Sequence, residues 1–235
     1  MSKENVDLQL SLAAQILWQQ TPIQQRVEIL QQWADQLSQH DETYQGAAKM
    51  IEFQCQQALM FVGPVHLLPG PTGESNELYC VGRGSFLIIG DDHADTIGIV
   101  GMISAALVAG NSVICCVDQN AHCDLSQLMT PLIQAGCPEH VTILASHTES
   151  ESLAVQPLLA GVALVGSEAS CIHYNQLLAN RDGRLAQLIY ETDLKQYSHL
   201  SQASLCLRFI TERTRTINVT AIGGNATLLE LGSGD

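Results

Sequence analysis

Between Phe86 and Tyr190 the chain keeps one rhythm: a short apolar run, a turn, a helical stretch, then another short apolar run. Phe86–Ile89, Ser112–Val117, Val141–Ala145, Val162–Val165 and Leu185–Tyr190 are the apolar runs, each too short for a helix. Asp95–Ala109, His122–Ala135 and Ser167–Asn180 carry the helical periodicity, and Gly110-Asn111 and Gly136 end the first two. Strands that are apolar at nearly every position are buried on both faces. That happens when helices cover both sides of a parallel sheet. The pattern predicts an α/β fold with a Rossmann-like parallel sheet.

Ahead of this region the first sixty residues read as helical. In "TPIQQRVEILQQWADQLSQH" Thr21 is expected to cap a helix with Pro22 in its first turn, and Ile23, Val27, Leu30, Trp33 and Leu37 recur at helical spacing. A further helix is expected from about Glu42 to Met60. Gly63-Pro64 and "LPGPTGE" break that pattern, and "NELYCVGRGSFLIIG" follows as two β-rich runs joined by Gly82-Arg83-Gly84. The chain thus divides into a domain over 1–204, with its helical N-terminal layer at 1–62, and a C-terminal β-flap or hairpin at 205–235. In "TERTRTINVTAIGGNATLLELG" the residues alternate. Thr216, Asn218 and Thr220 would point one way and Ile217, Val219 and Ala221 the other. An edge strand of this kind is a liability when unpaired, which fits an element that adds to a neighbour's sheet.

Composition excludes several functions. With 24 acidic and 10 basic side chains the formal charge is −14, so no basic surface is available for nucleic acid. A hydrophobic content of 46% is too high for intrinsic disorder. No apolar run reaches membrane-spanning length and the N-terminus carries no apolar signal core, so the chain reads as cytoplasmic and its eight cysteines as reduced.

The turn after the first apolar run, Gly90-Asp91-Asp92-His93-Ala94-Asp95, offers one glycine and three carboxylates where a pyrophosphate needs glycines and no anions. It argues against dinucleotide binding there; the aspartates read as caps for the helix near Asp95. "CCVDQNAHC" is no metal site, because Cys115 and Cys116 point to opposite faces of a strand and His122 and Cys123 lack a second ligand pair. Cys171, two residues before His173, and Cys206 have no activating base beside them and read as buried thiols. Glu191 follows a strand at its carboxyl end, where such sheets place their chemistry, although by pattern alone it is a solvated loop carboxylate.

The segments "LPGPTGESNELYCVGRGSFLIIG", "ISAALVAGNSVI", "LIQAGCPEHVTIL", "VALVGSEAS" and "LIYETD" occur in an order and spacing that resemble the aldehyde dehydrogenase superfamily. The Gly-Pro-Thr-Gly-Glu-Ser-Asn stretch and the closing "TERTRTINVTAIGGNATLLELG" resemble the proline utilization A family. These are bacterial bifunctional enzymes that join a proline dehydrogenase to an L-glutamate-γ-semialdehyde (1-pyrroline-5-carboxylate) dehydrogenase.

The resemblance implies an aldehyde-dehydrogenase NAD-domain fold and assigns roles by position. His93 stands where the family has an oxyanion-binding Asn, and Cys116 and Gln119 where a Lys and a Glu hold the adenosine ribose. Gly166 and Ser167 match the residues at the nicotinamide-side phosphate. Glu191 matches the general base, but Asp193-Leu194 replaces the glycine pair behind it. The Gly-Gln-x-Cys nucleophile motif does not occur. The resemblance therefore implies a pseudoenzyme that binds no cofactor, with NAD used by its active relatives. It would pack on the proline dehydrogenase and 1-pyrroline-5-carboxylate dehydrogenase modules, cover the substrate-channelling tunnel and pair as a homodimer through the flap. Thr211, Arg213, Ile217, Val219, Gly223, Gly224 and Asn225 are the expected contact residues. Two rival readings are a residual dehydrogenase with Glu191 as base and Cys171 as nucleophile, and a regulatory module that keeps nucleotide affinity.

Overall fold

The structure, a computed structural model, describes residues 3–71 and 73–218. Three helices come first: α1 (Lys3–Trp18), α2 (Ile23–His40) and α3 (Gln45–Phe61). Pro22 stands as the cap residue of α2 in an extended conformation, with no side-chain cap bond, so Thr21 does not cap. The main-chain carbonyl of Thr21 instead accepts from the Arg26 guanidinium at 2.7 Å. Leu30, Trp33 and Leu37 on α2 are fully buried, each worth about 1.5–3 kcal/mol of transfer free energy. Indole N–H groups tie this layer to the body: Trp18 donates to the Leu107 carbonyl and Trp33 to that of Leu128, both at 2.9 Å.

The body is the alternation expected from the apolar runs. Strands β1 (His66–Leu68), β2 (Glu74–Gly82) and β3 (Ser85–Gly90) lead into α4 (Thr96–Val108) and β4 (Ser112–Val117). Then follow α5 (Leu125–Gln134), β5 (Thr142–Leu144), α6 (Ser150–Ala154), β6 (Gly161–Val165), α7 (Glu168–Asn180) and β7 (Gln187–Glu191). The five strands β5-β4-β3-β6-β7 form one parallel sheet. Phe86 and Ile88 enter one buried cluster with α2, α3 and α4, while Leu87 and Ile89 enter a second with α6 and α7. Cys115 and Cys116 likewise separate to opposite faces. Helix α5 begins at Leu125 rather than His122. Asp124 caps it by accepting from the Ser126 N–H at 2.9 Å, and the His122 N–H is held by the Ala94 carbonyl.

A second sheet, β1-β2-β8, projects as an arm. Its last strand, β8 (Ile210–Asn218), pairs antiparallel with β2 along nine residues, from Gly82↔Ile210 to Glu74↔Asn218. The strand expected to add to a neighbour's sheet is paired on one side with β2 and stands at the edge of the arm. Beyond Ile210 it is exposed at every residue. Thr211, Arg213 and Ile217 lie on it, whereas Val219, Gly223, Gly224 and Asn225 lie outside the described residues. At the root of the arm Gly82 passes so close to α4's end that a Cβ would sit 2.4 Å from the Gly110 carbonyl oxygen. Neither backbone can yield cheaply, so Gly82→Ala is expected to lower the unfolding free energy by about 2 kcal/mol in urea titrations.

Candidate functional site

Three strand ends meet at the carboxyl edge of the parallel sheet: β3, β6 and β7. From β3 the chain runs outward through β4 to β5, and after crossing back it runs outward the other way through β6 to β7. The edge between β3 and β6 is the topological switch point, the place where open α/β sheets bind ligands. Asp91, Gly166 and Ser167 sit on it.

What fills the switch point is the chain's own carboxylate. Asp91 Oδ2 accepts from the Ser167 N–H at 2.8 Å, the Ser167 hydroxyl at 2.7 Å and the Ser170 hydroxyl at 2.7 Å. Its other oxygen accepts from the His93 N–H at 2.9 Å. These donors include the first turn of α7, where the helix dipole favours an anion. Gly166 leaves the room: a Cβ there would lie 2.2–2.5 Å from the Asp91 carboxylate. Burial pushes the Asp91 pKa up, but the hydrogen bonds from Ser167, Ser170 and His93 outweigh it and hold the group below the usual carboxylate value. Asp91 is thus no cap of its own helix. That part falls to Asp95 alone, which accepts from the Gly98 N–H at 2.8 Å and from the Tyr197 hydroxyl at 2.6 Å. Burial, then the bond to Asp95, pushes the Tyr197 pKa up.

Glu191 is the last residue of β7 and is 0% exposed, not a solvated loop carboxylate. Oε1 accepts from the Asp193 N–H at 3.0 Å, and Oε2 from the N–H groups of His199 and Leu200 at 2.8 and 2.9 Å. Its partners all come from the segment that links β7 to the arm. That segment is ordered further by Asp193, whose carboxylate accepts from the Lys195 and Gln196 N–H groups and the Ser198 hydroxyl. A general base must reach the proton it abstracts. This carboxylate faces three backbone donors.

The remaining residues named from sequence do not complete a reactive centre. His93 projects its largely exposed ring toward Asp92, with Nδ1 2.7 Å from Oδ1. All eight cysteines are free. Burial pushes the Cys116 thiol up to about 12 and the Cys206 thiol up to about 11, and burial with Glu168 nearby raises Cys171. A nucleophilic thiol needs the opposite shift. Among the described residues Asp91, Asp92 and His93 bring potential metal-ligating atoms together, but both oxygens of Asp91 already accept hydrogen bonds. Gln119 lines a cleft of about 280 Å³ with Asp118 and His147, beyond the ends of β4 and β5. Sequence reasoning missed Asp91 as the switch-point anion and Ser170 as its donor. The one available signal was an aspartate directly behind an apolar strand.

No family model matches the chain. The bifunctional protein PutA of Escherichia coli strain K12 is 29% identical over 170 residues, which cover 72% of this chain and 11% of that protein. The chain thus spans about a tenth of the length of the curated relatives it matches. A crystal structure of bifunctional proline utilization A superposes with a TM-score of 0.74 at 27% identity, covering 81% of this chain and 22% of the other. A putative aldehyde dehydrogenase from Burkholderia cenocepacia gives 0.70 at 17% identity, covering 80% and 42%, and shares the fold. The chain has the aldehyde dehydrogenase fold and is similar in sequence to PutA.

Proposed function

We propose that the chain is a non-catalytic structural domain related to the 1-pyrroline-5-carboxylate dehydrogenase of proline catabolism. It packs on the proline dehydrogenase and aldehyde dehydrogenase modules of a PutA-type assembly in the cytoplasm and helps close the path of the intermediate. One observation carries this reading: the two acidic groups at the carboxyl edge of the sheet, Asp91 at the switch point and Glu191 at the end of β7, are both engaged in holding the fold. Asp91 occupies the anion position at the start of α7, and a cofactor phosphate would have to displace it against charge repulsion. Glu191 anchors the segment that takes the chain from the sheet directly to the arm.

The link between β7 and β8 supports the same reading. In the family the general base is followed by a catalytic module with its Gly-Gln-x-Cys nucleophile. Here residues 192–209 alone connect the two strands. Without a thiolate no covalent thiohemiacetal forms, and hydride has no donor. The exposed arm, with Thr211, Arg213 and Ile217 on β8, is the part that would lie against the catalytic modules.

Calorimetric titration of the chain with NAD and with NADH is expected to give no heat of binding, and mixing with L-glutamate-γ-semialdehyde and NAD no NADH absorbance. Saturable micromolar binding, or turnover abolished by Glu191→Gln, would overturn the proposal.

A further inference from the structure

A cleft of about 580 Å³ lies between α2 and α5, within the roughly 300–1,000 Å³ range of small-molecule sites. Only these two helices form it, so it shares no residue with the switch point or the arm. The Trp33 indole, bonded to the Leu128 carbonyl, fixes the two helices against each other. Among the described residues the cleft lining holds no Asp, Glu, Lys or Arg, on a chain with 24 acidic and 10 basic side chains. What it offers instead is a set of proton acceptors. Pro131 stands inside α5 and has no N–H, so the Gln127 carbonyl one turn back lacks its helical donor. The Ser126 hydroxyl spends its proton on Asp124 at 2.6 Å, and the Thr130 hydroxyl on the Ser126 carbonyl at 3.1 Å. Both oxygens are left with lone pairs to offer. On α2, the Gln36 side-chain oxygen Oε1 is buried with no hydrogen-bond partner among the described residues, a state that burial makes costly. The terminal torsion of a glutamine is broad, so a modest turn brings this oxygen into the cleft.

We infer that the α2–α5 cleft binds a neutral polyhydroxyl compound, a sugar, whose hydroxyl protons satisfy these acceptors. Each other class of ligand meets a mismatch. An anion would find no cation in the lining and a net charge of −14 around it. A cation would find its carboxylates elsewhere on the chain, so charge does not direct it here. An apolar compound would cover the acceptors and leave them unpaired. Hydroxyl groups donate and accept at once, which also suits the side-chain amides of Gln39 and Gln134. The Pro131 ring and the His40 imidazole, itself stacked on Tyr44, give the C–H face of a sugar ring a surface to lie on.

Titration of the full chain with maltose, followed by amide NMR shifts, tests the site. Saturable shifts are expected in residues 36–40 and 126–134 in the millimolar range. They should be the same at about 0.05 and 0.5 M salt, because no ligand charge is involved. Thr130→Val and Gln36→Met keep the shape but remove an acceptor, and each should weaken binding about fivefold, the worth of one neutral hydrogen bond. Pro131→Ala returns an N–H to the Gln127 carbonyl, so it should weaken binding by a similar factor while raising the urea midpoint. That variant separates loss of the site from loss of the fold. Gln176→Met, on α7, should change nothing. The absence of saturable shifts in these segments, or parent-like affinity in all three cleft variants, overturns the inference. So does a stronger effect of spermidine on the same amides that salt abolishes, which would make the cleft a site for cations.

Discussion

Glu191→Ala is expected to lower the unfolding free energy by about 4 kcal/mol and the thermal midpoint by about 10 °C. The substitution removes a buried anion and leaves the N–H groups of Asp193, His199 and Leu200 facing one another without an acceptor. Each buried donor left unpaired costs about 1–3 kcal/mol, and repacking recovers only part of the sum. Glu191→Gln keeps the shape but turns an N–H₂ group toward backbone donors, so an intermediate loss of about 2 kcal/mol is expected. Hydrogen exchange should locate the damage: amides 193 and 199–200 should lose protection first, because they donate to the missing oxygens. A carboxylate kept for proton abstraction would behave differently, since its removal would leave the fold nearly as stable as before. An unchanged midpoint in Glu191→Ala would contradict the anchoring role and reopen the reading of Glu191 as a working base.

The difference between what the sequence makes legible and what it hides follows the range of the interactions. β3, β4 and β6 are readable because residues buried on both faces must be apolar throughout, and that signal is local. α5 starts later than expected because His122, which bridges to Asp95, and Cys123 carry no feature that distinguishes them from a first helical turn. Only Asp124, bonding the N–H two residues on, marks the true start. β8 is readable as a strand, but its pairing with β2 depends on residues far away in the chain and leaves no local trace. The site follows the same rule. Asp91 reaches Ser167 and Ser170, 76 and 79 residues onward, so the three aspartates of the turn look alike until the fold separates them. Glu191 is hidden for a second reason. Its partners are backbone N–H groups, which every residue but proline has, so the sequence cannot mark them. One local mark is present: Asp193-Leu194 stands where the resemblance implies a glycine pair. In the structure Asp193 ties down the linking segment and Leu194 packs on the core.

Asp91→Ala is expected to cost about 3 kcal/mol at neutral pH and to create a need for an external anion. The carboxylate accepts four hydrogen bonds, two of them from serine hydroxyls that can turn to other partners and two from the main chain at Ser167 and His93, which cannot. Losing a charged acceptor of this kind outweighs the few contacts its removal frees. The pH dependence has a definite sign. Asp91 titrates below its ordinary value in the folded chain, so its contribution is complete above that ordinary value and is lost as pH falls through the lower, folded one. The stability gap between the parent chain and Asp91→Asn should therefore be constant from about pH 5 to 8 and narrow below about pH 4. In Asp91→Ala the Ser167 N–H and the two hydroxyls at the start of α7 face the space the carboxylate held, which is the arrangement that binds phosphate at helix N-termini. Inorganic phosphate should then raise the midpoint of the variant, by about 1.4 kcal/mol of stabilisation at ten times its dissociation constant, and leave the parent chain unmoved. A parent chain stabilised by phosphate as strongly as the variant would mean that Asp91 does not fill the switch point, and the case for a domain that works by contact alone would lose its main physical support.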